Sequence, residues 1–257
     1  MSLKEFGKKI RKRETPFYDS LYRMAKRIRG IECPYIRGWH DFLYHERRFR
    51  INAWRTFWRL LYHQPLFRSR CRICGSGLHI YHSGQGMPFI MGDVDINIGK
   101  DVKIYDRITI AGLTVGEHPQ LTIGDHTDIS QPITIIVGNK VTIGANCLIG
   151  CTMISDNPGH GVDYKERFEK INRESIGRVE IGDYVWAALQ SMIMGNVSVG
   201  FGAVIAARAV VTRDVPPFCL VAGNPSRIVK KLPFPNEMIE RLGKEAYEQY
   251  QCAVVER

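Results

Sequence analysis

In the stretch ISDNPGHGVDYKERFEKINRESIGRVEIGD, residues 154–183, a histidine stands where a six-residue rhythm stops. On either side an aliphatic residue recurs every six positions. Here the beat is lost for about twenty residues, and His160 sits at the break. An unperturbed imidazole titrates near pH 6.5, so a histidine held in place can take up a proton near neutrality. Asp156 and Asp163 flank it and are candidates to orient the ring or raise its pKa; the bland reading is three polar loop residues. A second constellation is Cys71-Arg72-Ile73-Cys74, half of a zinc knuckle. A structural zinc takes four ligands, and no second Cys pair follows; His79 and His82 are the nearest candidates. The alternative is two small side chains opening a repeat domain. The seven cysteines are odd in number and scattered, which reads as free thiols in a reducing compartment, and no metal is expected.

The element that must position His160 is the repeat itself. Over residues 181–216 six consecutive hexads begin at Ile181, Ala187, Ile193, Val199, Ile205 and Val211. Their fifth positions are small or β-branched. Earlier hexads begin at Ile98, Ile104 and Ile110, at Ile123, Ile129 and Ile135, and at Ile143, Ile149 and Ser155. Helices repeat near 3.6 and strands alternate at 2. A period of six fits short strands joined by turns and stacked coil on coil as a parallel β-helix, each coil burying its neighbour's face. The small residue after the aliphatic one (Gly99, Gly124, Gly144, Gly150, Gly182, Gly200) falls where the chain bends in little room. An irregular coil is expected at residues 78–97. The chain leaves the repeat at Pro216-Pro217, and a single helix follows in PNEMIERLGKEAYEQY, with Met238, Leu242, Ala246 and Tyr247 on one face.

Charge is uneven. The net value is +10, yet residues 1–72 hold 19 Lys and Arg against 6 Asp and Glu, so the rest sums to −3. That first segment reads as helices rich in Arg, Trp, Tyr and Phe, with Phe42, Arg47, Phe49, Ala53, Phe57, Leu60 and Leu61 loosely helical in period. It suits an interfacial helix on an anionic membrane, or a helical arm packed on the main domain or a neighbouring subunit. No run of eighteen apolar residues exists, and the charged start MSLKEFGKKIRKRE lacks the apolar region of a secretory signal. The expected division is a basic helical arm over 1–70, a β-helix over 71–216 with a loop at 157–178, and an extension with a helix over 217–257.

The repeat resembles the left-handed β-helix of the hexapeptide-repeat acyltransferases. VVTRDVPPFCLVAGNPSRIVKKL, residues 210–232, resembles the end of that helix in maltose and galactoside O-acetyltransferases and related enzymes that decorate surface polysaccharides. The likeness extends over residues 90–232, through VTIGANCLIGCTMISDNPGHG, and leaves residues 1–65 outside it. It implies an all-β solenoid: a left-handed parallel β-helix of about five to six coils, with a helical arm before it and a helix after it. It further implies a cytoplasmic homotrimer binding acetyl-CoA between subunits, with no nucleic-acid partner; the basic aromatic arm over residues 1–65 is expected to add a peripheral contact with the inner face of the membrane. The reaction implied is O-acetylation of a saccharide, a surface-polysaccharide or lipid-linked precursor. His160 falls on the family's general base.

By the same resemblance Ser130, Asp156 and Trp186 lie toward the acceptor. Ala188, Ala207, Thr212 and Arg213 lie along the cofactor, with Arg227 and Lys230 near its phosphates. Three departures stand out: Val185-Trp186-Ala187-Ala188 for Val-Trp-Ile-Gly, Gly195-Asn196 for Pro-Gly, and Ser130 for an acceptor-binding asparagine. A hydroxyl cannot supply an amide's paired donor and acceptor, so the last implies a different acceptor. The alternatives are an N-acetyltransferase of an amino sugar and a trimeric scaffold without activity. A γ-type carbonic anhydrase would need three zinc-binding histidines; His118 and His126 are candidates, at the wrong spacing.

Overall fold

The computed structural model describes residues 2–81, 87–105, 108–113, 118–130, 132–161, 163–169 and 173–256. It divides into two compact units, residues 1–52 and 53–257. In the first, helix Leu3–Lys12 is opened by a capping box between Ser2 and Glu5, and helix Pro16–Arg29 by Thr15 with Pro at its first turn. Phe6 meets Tyr18 at 5.8 Å, and Arg13 lies 4.2 Å over the Tyr22 ring. No residue of Pro16–Arg29 or of helix Arg37–Trp58 is buried. No helix among the described residues is long and apolar enough to cross a membrane.

The second unit is the repeat, a parallel β-helix with three faces. Face A stacks Cys71–Cys74, Asp95–Ile98, Gln120–Ile123, Lys140–Ile143, Arg178–Ile181 and Val197–Val199. Face B stacks His79–Tyr81, Lys103–Tyr105, Asp128–Ile129, Leu148–Ile149, Trp186–Ala187, Val204–Ile205 and Cys219–Ala222, and closes with the antiparallel strand Arg227–Lys231. Face C stacks Phe89–Met91, Ile108–Gly112, Ile133–Val137, Met153–Ser155, Met192–Met194 and Val210–Val211. Each hexad's first residue points inward, so the core is a set of aliphatic columns. One runs Ile98, Ile123, Ile143, Ile181, Val199; another runs Ile110, Ile135, Ile154, Ile193, Val211. Each such buried side chain contributes about 1.5–3 kcal/mol relative to exposure.

The structure corrects the hexad reading in three places. The irregular coil expected at 78–97 starts earlier, at Cys71, where the β-helix itself was expected to begin, and the two cysteines are its first rung, paired with Ile96 and Ile98. On face C the aliphatic slot of the fourth coil is filled by Ile154, one residue before the Ser155 of the hexad count. Ser155 is buried beside it and its hydroxyl donates to the Asn157 carbonyl, holding the start of the long loop. At the far end the repeat continues past Pro216-Pro217: Val215 bridges Val199 on face A, and Cys219–Ala222 extends face B. The single C-terminal helix is two, Glu237–Leu242 and Lys244–Cys252, broken at Gly243, whose φ is 86°. Met238, Leu242, Ala246 and Tyr247 are half-buried on them, and Tyr247 and Tyr250 pack on Phe234, which meets Phe218 at 4.6 Å.

The corners explain the small residues. A Cβ added at Gly144 would lie 2.6 Å from both the Gly182 carbonyl carbon and the Asp183 nitrogen, which are backbone atoms of the next coil and cannot yield. Gly144→Val therefore overpacks the corner and costs about 1–3 kcal/mol. Thermal unfolding followed by circular dichroism should show a midpoint several degrees lower. Gly38→Ala, with no atom near the new methyl and a helix around it, should leave the midpoint unchanged or slightly raised.

Candidate active site

The break in the rhythm does not break the helix. Ser155 pairs with Ile136 on the coil before and with Met194 on the coil after, so register passes straight across the loop. The loop's two ends are tied to each other: the Gly177 N–H donates to the Asp156 carbonyl at 2.8 Å. Asn139 Nδ2 donates to the Gly177 carbonyl at 3.2 Å. Residues 157–176 thus leave and rejoin the solenoid at one point, as an Ω-type excursion does.

Asp156 makes that closure possible. Its side chain is 0% exposed. Oδ1 accepts the Gly138 N–H at 2.6 Å, and Oδ2 accepts the Asn139 and Lys140 N–H groups at 2.8 Å each. These three donors belong to the turn between the preceding coils and would otherwise be unpaired. A carboxylate is the acceptor-only group that satisfies all three. The expectation that Asp156 binds acceptor or orients His160 is therefore corrected: its oxygens are engaged in the interior. Asp163 is also occupied locally, its Oδ1 taking the Lys165 N–H at 2.8 Å.

His160 is exposed at the rim of this loop, and its Nδ1 lies 3.1 Å from the Arg167 carbonyl oxygen. A carbonyl can only accept, so this contact is a hydrogen bond when Nδ1 bears a proton, the tautomer that leaves the Nε2 lone pair free. The ring is held by a backbone group seven residues along, a partner with no signature in the sequence.

The remaining candidates divide over two corners. Between faces B and C a column of small residues runs Ser130, Gly150, Ala188, Ala206. The N–H of Ser130 donates to Ile149 and that of Gly150 to Ala187; Ala188 continues the ladder to Ile205 and Ala206 to Val221. Ala207 follows, exposed, and Trp186 stands on adjoining face B between Leu148 and Val204, 52% exposed. Below Ser130 the same column ends in Tyr105 and Tyr81, stacked at 4.5 Å and 7°, which the repeat pattern did not single out. Thr212 and Arg213 are exposed at the other corner, between faces C and A, where the His160 loop also departs. Arg227 and Lys230 lie on the closing strand of face B, Arg227 ion-paired with Glu256 and Lys230 opposite Leu220. One chain therefore does not gather the cofactor candidates with His160. The cleft of about 430 Å³ lined by Ser198, Asp214, Pro216 and Gln249 includes none of them.

The half zinc knuckle resolves differently. Burial, then the Cys74 sulfur, push the Cys71 thiol up to about 12, and its Sγ donates to the Phe67 carbonyl. His79 Nδ1 lies 3.3 Å from Arg59 Nη1, and burial, Arg59 and Lys103 hold its pKa below the usual value. His82 lies outside the described residues. His126, a carbonic-anhydrase candidate, sits in a left-handed corner turn with Nδ1 3.7 Å from an Asp101 carboxylate oxygen. No group of three or more metal-ligating side chains occurs among the described residues.

No family profile matches the chain. Its fold matches a variant of AntD, an N-acyltransferase from Bacillus cereus solved with coenzyme A and a dTDP-linked amino sugar. The TM-score is 0.51 and the identity 19%, over 72% of this chain and 95% of that one. In sequence it is 31% identical over 173 residues to the Bacillus subtilis protein named "Putative acetyltransferase YvoF", covering 65% of this chain and 90% of that protein. The chain belongs to the hexapeptide-repeat acetyltransferases. Its solenoid is accordingly the left-handed β-helix. It is also 33% identical over 100 residues to galactoside O-acetyltransferase of Escherichia coli K12, covering 39% of this chain and 48% of that enzyme. The chain spans about half the length of such curated relatives, several chloramphenicol acetyltransferases among them.

The Asp156 clasp yields a test. Asp156→Ala leaves three N–H groups without an acceptor and should cost about 2–4 kcal/mol. Amide hydrogen exchange at Gly138, Asn139, Lys140 and Gly177 should accelerate together, ahead of the coil amides of Ile143 and Ile181. Protection at those four amides equal to that of the unaltered protein would contradict the clasp.

Proposed function

We propose that this hexapeptide-repeat protein transfers the acetyl group of acetyl-CoA to a saccharide hydroxyl, with His160 as general base. The observation that carries the reading is the hydrogen bond from His160 Nδ1–H to the Arg167 carbonyl, which leaves Nε2 as an exposed base at the edge of a rigid wall. A sugar hydroxyl is a weak nucleophile. Nε2 removes its proton as the oxygen attacks the thioester carbonyl. The C–S bond then breaks, and the departing coenzyme A thiolate takes the proton back from the imidazolium. General-base help of this kind is worth about 10²–10⁴ in rate. The developing oxyanion would be met by a backbone N–H of the adjoining coil.

The two-corner distribution supports a homotrimer with sites between subunits. His160, Thr212 and Arg213 lie at one corner, and Trp186, Ala188 and Ala207 at or beside the next. A groove formed where one subunit's corner meets its neighbour's would bring both sets to the same cofactor. Arg213, Arg227 and Lys230 would meet its phosphates, Arg227 by exchanging Glu256. Ser130, with the Tyr81–Tyr105 platform beside it, would meet the acceptor, the flat tyrosine faces suiting the apolar face of a sugar ring. An acceptor borne on a surface-polysaccharide or lipid-linked precursor would put the reaction in the cytoplasm at the inner face of a membrane.

Release of free thiol from acetyl-CoA, measured over a panel of neutral sugars, amino sugars and chloramphenicol, tests the reading. Transfer should occur to a neutral saccharide, and His160→Ala should reduce it at least about a hundredfold while the protein stays folded. Undiminished turnover in the variant would remove the mechanism. Transfer to amino sugars alone would replace the acceptor hydroxyl by an amine.

A further inference from the structure

The helical stretch that enters the β-helix has its amphipathicity reversed. Ala53–Arg72 belongs to the same compact unit as the coils. It comprises the end of helix Arg37–Trp58, a π turn over Arg59–His63 and helix Gln64–Arg70. Arg55, Arg59, His63 and Gln64 are half-buried and Phe67 is fully buried in the core. Arg59 donates to Gln64 Oε1 at 3.3 Å and lies against His79, and Arg68 Nη2 donates to the Gly75 carbonyl at 2.8 Å. The polar side is therefore fastened to the first coil. The large apolar side chains face away: Trp54 is 62% and Leu61 65% exposed, and Phe57, Leu60, Tyr62 and Leu66 are exposed with them. A helix that only packed on its own domain would turn its apolar stripe inward. Such a contiguous exposed patch marks a surface that meets something else.

We propose that this face docks on an anionic phospholipid bilayer. The helical segment carries four arginines and no acidic residue over 53–70, Arg70 exposed among them, within a first stretch of residues 1–72 whose balance is +13. Trp and Tyr favour the headgroup level, aliphatic side chains reach below it, and arginines attract anionic headgroups. A second copy of the chain would bring the same positive charge against this face. An RNA would find no stacking or hydrogen-bonding partner in Leu60, Leu61 and Leu66. Rigid attachment through Phe67 and Arg68 would hold the first coil, with Tyr81 and Tyr105, at the membrane surface. The docking face is independent of acetyl transfer and would stand if that reading failed.

The full-length protein is to be floated with vesicles of phosphatidylcholine containing 30% phosphatidylglycerol, and with pure phosphatidylcholine, at 150 mM salt. The anionic vesicles should carry at least about tenfold more protein. Leu60→Asp/Leu61→Asp should lose at least about tenfold of that binding with unchanged thermal unfolding and oligomer size. Should the double variant be poorly folded, Trp54→Glu alone and quenching of the unaltered protein's tryptophan fluorescence by brominated lipid give the same answer. Equal binding of the double variant, or no flotation of the unaltered protein, overturns the proposal. A smaller oligomer in the double variant would assign the face to a second copy. Binding to poly(U) without binding to vesicles would assign it to nucleic acid.

Discussion

One buried carboxylate decides whether this β-helix can carry a loop in its side. Asp156 accepts three backbone N–H groups from the turn beneath it, and the peptide that bears it closes the loop by accepting the Gly177 N–H. A charged group taken out of water is tolerated only when its acceptor capacity is filled, and here both oxygens are used. Because the excursion leaves and returns at the same corner, the coils above and below keep their register. A loop hung from a single anchor can vary its tip without disturbing the wall.

The wall itself rests on close stacking of identical corners. The backbone of one coil passes so near the next that a methyl at Gly144 has nowhere to go. The same regularity explains why the residues of the proposed site fall on more than one corner. A three-faced prism turns adjacent corners away from each other, and the residues matching the family's cofactor path fall on two of them. Under the proposed function, a neighbour's corner would complete the groove.

The columns of Ile, Val and Leu were legible in the sequence because every sixth side chain faces the interior and has no other place to go. The register at Ser155 was not, since a serine one residue late fits the small-residue pattern of a hexad as well as it fits a loop anchor. The boundary at residue 71 was legible, but the bounds of the first coil were not, because its strand carries Cys71 and Cys74 where later coils carry Ile. Most left-handed corner positions were also silent: Asp101, His126, Asn146, Tyr184 and Phe218 share a positive φ that Gly77 and Gly202 announce by their type. At the site, the break in the repeat is what points to His160, whose role is part of the proposed function. Asp156 invited the wrong role, since a carboxylate four residues from a histidine looks like its partner. The actual partner is the carbonyl of Arg167, and a backbone group has no letter in the sequence. The reversed helix over 53–72 was visible only as composition; which side its apolar residues take is decided by Phe67 and by the arginine contacts to the first coil.

The account turns on which nitrogen of His160 holds the proton. With histidine labelled by ¹⁵N at both ring positions, a long-range proton–nitrogen correlation spectrum of the free protein at pH 8 reports the tautomer directly. A resonance assigned to His160 by its absence in His160→Gln should show the proton on Nδ1 and an unprotonated Nε2. A ring protonated on Nε2 at that pH would mean that the Arg167 carbonyl does not set it, and that the base on which the proposed transfer depends is not in place.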